Sequence, residues 1–339
     1  MITSTHDTLQ ELQLERTLGG EGREAEREIP LIDLSDFDTR RDEIIDRLWQ
    51  AATDVGFFQL VNHGIATADI RQAFTLAEEF FALPDATKAR HSLKQGQNAG
   101  WEFKSQVRPS TQTADQKESY QITLPHMEGL WPDQVTLAEF QRIMLDFEHQ
   151  AWQLGMRVLS CFAERLGFER DFFTHAHARH APDYQSTLRL LHYLPLDRDA
   201  LADASLWRAG AHTDFDCLTM VFQREGQGGL QVCPGHEVAG SDEGPAWSSV
   251  VPRDDIITCN IGDMLMRWSD DALKSTLHRV RMPTPEEADK PRYSMAFFCQ
   301  ANKDVTIQGP LRTYPPITAH DYLQQRIAAN FHAVRNKDA

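Results

Sequence analysis

The chain has 339 residues, of which 41% are hydrophobic and 25% charged, and its formal net charge is −16. That acidity argues against a nucleic-acid or anionic-membrane partner, because phosphate binding needs a basic face, and leaves a small molecule as the expected ligand. The composition is ordinarily globular, there is no run of eighteen apolar residues, and the five cysteines are scattered without a CxxC pair, so the expected setting is cytoplasmic and reducing, with neither a membrane span nor a disulfide framework.

Residues 1–28 are charged, contain Gly19, Gly20 and Gly22, and lack the apolar stretch of a signal peptide, which reads as a mobile leader. Ile29 to Ser35 reads as a strand. Ile44, Leu48, Ala52 and Val55 then recur at helical spacing up to Gly56. GFFQLVNHGI is a short β-rich run closed by a turn at Asn62, His63 and Gly64. Ile70, Phe74, Ala77 and Phe81 predict a second helix that stops before Pro84. Pro84 to Gln116 is polar and irregular, and a loop of that length suggests a lid that orders over a site. Thr136 and Glu139 have the spacing of a capping box at the head of a long helix that runs to Gly167.

Beyond Ser186 the pattern changes to short β-rich runs: LRLLHYL, CLTMVF, GLQV, AWSSVV, IITCNI, STLHRV and RYSMAFFCQ. They lie too close together for a helix between each pair, so parallel βαβ units are not expected. Thr318 to Val334 is helical again. The expectation is a mainly β chain with flanking α, an antiparallel two-sheet roll backed by N-terminal helices. Its regions are 1–28, then 29–125 with the lid-like loop, then 126–339 with the long helix, the roll and the last helix, together making one unit.

His212 and Asp214 stand two apart in "AHTDFDCLTMVF", so in extended chain they project to one face. His278, in a later β-rich run, offers a second imidazole. Two histidines and one carboxylate suit non-haem Fe(II) with three open positions, and the same set could bind zinc. The plainer alternative is a pair of hydrogen-bonded sheet histidines. Arg292 and Ser294 share a strand face in "PRYSMAFF", where a guanidinium and a hydroxyl could grip a carboxylate. Tyr193 could add another hydroxyl. Alone, Arg292 would read as a strand-edge salt bridge.

In order, HTD, "GDMLMRWSDDALKSTLHRV" and "RYSMAFF" resemble the Fe(II)/2-oxoglutarate-dependent dioxygenases of the isopenicillin-N-synthase-like superfamily, and "IPLIDLSDF" and "GFFQLVNHGI" resemble their N-terminal region. The resemblance implies a distorted double-stranded β-helix, a jelly-roll relative. It implies His212, Asp214 and His278 as iron ligands, and Arg292, Ser294 and Tyr193 as the binding site of the distal carboxylate of 2-oxoglutarate. O2 would be the oxidant, with succinate and CO2 as the products of the cosubstrate. Members that oxidise without 2-oxoglutarate keep the Arg-x-Ser pair, and a non-catalytic ligand-binding roll would keep the barrel; both remain alternatives.

Within the superfamily the pattern is most similar to thymine 7-hydroxylase-like and fungal-type dioxygenases acting on small rings. That likeness implies Asn98, Arg189, Phe215 and Phe298 as a substrate pocket for a planar, methyl-bearing ring. Two aromatics could sandwich such a ring, and Asn98 and Arg189 could read its oxygens. Phe215 and Asp216 depart from the relatives, which have a tyrosine and a small residue there, and so become candidates for choosing the substrate. His175, His177 and His180 in "THAHARH" read as a solvated connection, His63 as a turn residue, "EGQGGLQV" as a hairpin turn, and Trp268, Asp270 and Asp271 as structural.

Overall fold

The computed structural model describes residues 22–94, 96–107, 111, 113–203, 205–233 and 246–335. The part of the expected leader from 1 to 21 lies outside them. Arg23–Glu24 (β1) pairs in parallel with Ala246 and Trp247. Leu31–Asp33 (β2) leads into Arg41–Asp54 (α1), which buries the expected stripe of Ile44, Leu48 and Ala52. Phe57–Val61 (β3) precedes Thr67–Phe81 (α2), which buries Ile70, Phe74, Ala77 and Phe81.

The described residues of segment 84–116 are more ordered than their composition predicts. They hold a helical turn, Asp85–Lys88 (α3), continued by a 3-10 turn over Ala89–His91, and a strand, Gly100–Phe103 (β4), paired with Lys117–Ile122 (β5). Glycine is needed at the head of β4: Gly100 has φ +105°, and a Cβ there would stand 2.7 Å from the His91 carbonyl oxygen. The long helix is Phe140–Arg165 (α4), and the capping box does not form. Glu139 adopts a left-handed conformation with φ 63°, and it is Asp133 Oδ1 that accepts the Val135 and Thr136 N–H groups.

Phe172–Ala176 (α5) follows, then Thr187–Tyr193 (β6) and Arg198–Ala202 (α6). The remaining strands are Ala209–His212 (β7), Leu218–Gln223 (β8), Leu230–Val232 (β9), Ala246–Ser249 (β10) and Ile257–Ile261 (β11). After Asp263–Trp268 (α7) come His278–Val280 (β12), Arg292–Cys299 (β13), a small hairpin of Thr306–Ile307 (β14) and Ile317–Thr318 (β15), and the last helix, Ala319–Arg335 (α8).

Two sheets form the roll. One has eight strands in the order β2-β3-β11-β8-β13-β6-β5-β4, the other five in the order β1-β10-β9-β12-β7. This is the expected double-stranded β-helix. Side-chain alternation separates the faces of the large sheet. Phe58, Leu60, Tyr120, Ile122, Leu188, Leu190, Met220, Phe222, Cys259, Met295 and Phe297 point outwards and join α1, α2 and α4 in the main core. The residues between them point into the roll and are largely polar: Lys117, Ser119, Gln121, Arg189, Tyr193, Thr219, Gln223, Thr258, Asn260, Arg292 and Ser294. Smaller apolar clusters bridge the two sheets, one of them Leu191, Tyr193, Ala209, Val280 and Ala296.

The α4–β13 contact sets how closely helix and sheet approach. Gly155 lies mid-helix, where alanine would be favoured by about 1 kcal/mol on propensity alone. A Cβ there would lie 2.5 Å from Cys299 Sγ and 3.4 Å from Met220 Cε. Overpacking of this kind costs about 1–3 kcal/mol and outweighs propensity. Gly155→Ala is therefore expected to lower stability in denaturant unfolding. Combining it with Cys299→Ala, which vacates the clash, should cost less than the sum of the single changes; strict additivity would contradict the contact.

Candidate functional site

β7 and β12 are antiparallel neighbours, and their register sets His278 directly opposite His212. The two rings stand 4.3 Å apart, centroid to centroid. Asp214 lies two residues beyond the end of β7. Its Oδ1 is 3.8 Å from His212 Nε2 and its Oδ2 is 3.6 Å from His278 Nε2. One donor atom from each residue falls within 4.8 Å of the other two, and among the described residues this is the one such cluster of three metal-ligating groups.

The surroundings fix these groups for coordination. His212 Nδ1 donates to the Gly210 carbonyl at 2.7 Å and His278 Nδ1 to the Thr276 carbonyl at 3.3 Å, which leaves each lone pair on Nε2. Asp214 Oδ2 accepts from Thr219 Oγ1 at 2.7 Å and from Asn260 Nδ2 at 2.8 Å. Those donors come from β8 and β11, so the large sheet orients a carboxylate carried by the small one. The Asp214 carbonyl also accepts the Asp263 N–H, and Asp263 pairs with Arg326 of α8 at 2.5 Å and accepts from Thr213 Oγ1 at 3.1 Å.

Arg292 and Ser294 are each 3% exposed, and Arg292 Nη1 donates to Ser294 Oγ at 3.3 Å. Arg292 Nε donates to the carbonyls of Gly228 at 2.8 Å and Gln227 at 3.2 Å. The glycine-rich turn thus does more than reverse the chain: it holds the guanidinium. Tyr193 is the register partner of Arg292, whose Cζ lies 4.7 Å from the tyrosine ring centre.

Further along β6, Arg189 Nη2 donates to Asn98 Oδ1 at 3.3 Å, and its guanidinium sits 5.0 Å from the Phe298 ring centre. Asn98 Nδ2 donates to Thr187 Oγ1 at 3.1 Å. Three of the four expected pocket residues therefore meet. Phe215 packs elsewhere, under Arg326 of α8 at 5.3 Å. Asp216 is buried against Thr219, and burial together with the Asp214 charge raises its pKa well above the ordinary aspartate value. Thr219 Oγ1 lies 2.7 Å from Asp214 Oδ2 and 3.1 and 3.2 Å from the two Asp216 oxygens, so one hydroxyl links both carboxyl groups.

Two family models match the chain: residues 29–135 match the non-haem dioxygenase in morphine synthesis N-terminal family, and residues 184–301 match the 2OG-Fe(II) oxygenase superfamily. Proline hydroxylase buaE of Petromyces alliaceus is 31% identical over 304 residues, covering 83% of this chain and 90% of that protein. The crystal structure of the full-length thymine 7-hydroxylase of Neurospora crassa with alpha-KG is 30% identical, covers 91% of this chain and 99% of that one, and superposes with a TM-score of 0.77. The same protein with alpha-KG and thymine covers 89% and 96% at a TM-score of 0.76. The chain belongs to the 2-oxoglutarate/Fe(II)-dependent oxygenases.

The donor set fits the iron of such an oxygenase. Three ligands about 2.0–2.2 Å from a shared ion and mutually perpendicular would lie roughly 3 Å apart, a small inward movement from the distances seen here. The side chains are 9–12% exposed, so a cation removes the cost of an otherwise buried carboxylate. Among the described residues no helix is long and apolar enough to cross a membrane.

Several residues of the site were not singled out from the sequence. Thr219 and Asn260 are polar residues that alternate with the apolar outward residues of β8 and β11, and that alternation is the signal that could have found them. Glu102 accepts from Gln106, Ser119 and Gln121 at 2.5–2.8 Å. Burial pushes its carboxyl up, but the Arg189 charge and its hydrogen bonds outweigh this and hold it below the usual range. "THAHARH" is less solvated than expected: His177 is fully buried between the carbonyls of Phe173 and Cys299, and burial pulls its pKa down to about 4. His63 does form a turn contact, accepting the Ile65 N–H at 3.2 Å. Asp270 is structural, accepting the Leu311 and Thr313 N–H groups.

Loss of an outer hydrogen bond to a metal ligand typically costs 10–100-fold in affinity. Asn260→Ala is expected to weaken Mn(II) or Fe(II) binding by about that factor in an anaerobic titration, with unfolding little changed. Unaltered metal affinity would show that Asn260 does not orient Asp214.

Proposed function

We propose that this oxygenase hydroxylates, or oxidatively rearranges, a small planar methyl-bearing ring. In this reading His212, Asp214 and His278 hold Fe(II), and Arg292, Ser294 and Tyr193 bind the distal carboxylate of 2-oxoglutarate. The bound iron and cosubstrate supply the oxidising chemistry, with O2 consumed and 2-oxoglutarate converted to succinate and CO2.

The chain's own part is binding, orientation and exclusion of water. Asp214, fixed by Thr219 and Asn260, presents one oxygen to the metal. The Arg292 fork, fixed by the glycine turn, sets how far the cosubstrate reaches from the metal. The observation that carries the substrate reading is the meeting of Asn98, Arg189 and Phe298 on the inner face of the large sheet. An aromatic face beside a guanidinium and an amide suits a flat ring bearing oxygens. The similar Neurospora crassa enzyme, seen with thymine and with 5-formyluracil, supports a ring of that kind. Phe215, packed under Arg326 of α8, is not part of this pocket reading.

The test is a panel of planar methylated rings, phenols as well as pyrimidines, incubated with Fe(II), 2-oxoglutarate and O2. Mass spectrometry should find one ring gaining a single oxygen, with succinate formed in step. His212→Ala and Asp214→Ala should each abolish succinate formation; turnover surviving in both rules out this triad. Arg189→Met should lose product while still forming succinate uncoupled from it. A variant that hydroxylates the ring unimpaired removes Arg189 from the substrate site.

A further inference from the structure

One buried cation beside the cosubstrate residues has no role so far. Arg208, one residue before β7, is 3% exposed. Its Nη2 donates to the Lys290 carbonyl at 3.3 Å, which sets the guanidinium at the head of β13, where Arg292 begins the strand. Its Nε is buried and has no hydrogen-bond partner among the described residues. The charged and titratable groups around it are Arg292, Glu287, Tyr193 and Arg281.

The local carboxylates are already taken. Glu287 is engaged by both Nη atoms of Arg281, at 2.8 and 3.2 Å. Lys117, which shares a cross-strand row with Tyr193 and Arg292, is paired with Asp115 at 2.7 Å. Among the described residues neither Arg208 nor Arg292 forms an ion pair. Among the described residues two buried guanidinium groups thus act on one another, and the carboxylate whose charge reaches Arg208, Glu287, is already held by Arg281. Burial and the Arg292 charge pull Arg208 down to about 10. Such an arrangement is costly unless an anion enters it.

We infer that Arg208 is a second arginine of the cosubstrate site, closing with Arg292 on the distal carboxylate of 2-oxoglutarate. The inference rests on the assignment of Arg292 and Ser294 to that carboxylate. Its consequence is selectivity: two guanidinium groups favour a 2-oxo diacid over a 2-oxo acid with an apolar tail, which would leave both cations unpaired.

Calorimetry on the full chain loaded with Mn(II) tests this, with 2-oxoglutarate and 2-oxopentanoate as paired probes. The second has the same carbon chain without the distal carboxylate. Arg208→Met should raise the Kd of 2-oxoglutarate about tenfold or more while moving that of 2-oxopentanoate less than about twofold. An unchanged Kd for 2-oxoglutarate, or an equal loss for both probes, overturns the inference, the second outcome by showing a packing role only. If Arg208→Met does not fold, Arg208→Lys decides the matter. Lysine keeps the charge but loses the fork, so the preference for the diacid should fall roughly threefold or more, and an unchanged preference overturns the inference. Arg292→Met separates the two levels. If it retains the preference, the carboxylate site itself is misassigned; if it loses the preference while Arg208→Met keeps it, only the role of Arg208 falls.

Discussion

A carboxylate and two imidazoles converge between two β-sheets, and much of the chain is arranged to keep them there. Removing a carboxylate from water costs several kcal/mol unless charge or hydrogen bonds replace the lost solvation. Asp214 has two side-chain donors on one oxygen, from strands of the opposite sheet, and the start of α7 holds its backbone. His212 and His278 meet because β7 and β12 pair in the one register that sets them opposite each other. The distance between them in sequence is removed by sheet pairing, and the two histidines take their placement from paired strands.

The large sheet does two jobs with its two faces. Its outer residues form an apolar core with α1, α2 and α4. Its inner residues are largely polar, among them Thr219 and Asn260, which orient Asp214, and Arg292, which the glycine-rich turn holds. Charge is also sorted within the roll: the acidic ligand lies at the triad, while among the described residues Arg208 and Arg292 stand without an ion pair by Tyr193. On the proposed reading a 2-oxo diacid would match that polarity, with one end at the metal and the other at the arginines.

Much of this was legible in the sequence. The helical stripes of α1 and α2 and the β-rich runs beyond Ser186 follow from periodicity, because both faces of the core are set by simple alternation. The triad and the Arg-x-Ser pair were readable because each places two functional groups at i and i+2. Features set by tertiary contact were not. The capping box at Thr136 fails because Glu139 turns left-handed and Asp133 takes over the local N–H groups. Segment 84–116 looked irregular because β4 is only four residues long and draws its order from pairing with β5. His177 looked solvated because its neighbours in sequence are polar, yet α5 turns it inward to two carbonyls. Phe215 and Asp216 follow the metal carboxylate in sequence, but one lies under α8 and the other beneath the metal loop.

The central claim is that these three residues and Arg292 form one site for iron and its 2-oxo acid. The most direct measurement is an anaerobic titration of Fe(II) into the full chain with 2-oxoglutarate present, followed by visible absorption. Chelation of a 2-oxo acid to Fe(II) held by the triad gives a metal-to-ligand charge-transfer band that saturates at equimolar iron and is lost in Asp214→Ala. Absence of the band in the native chain, or its survival undiminished in both His212→Ala and Asp214→Ala, would contradict the account.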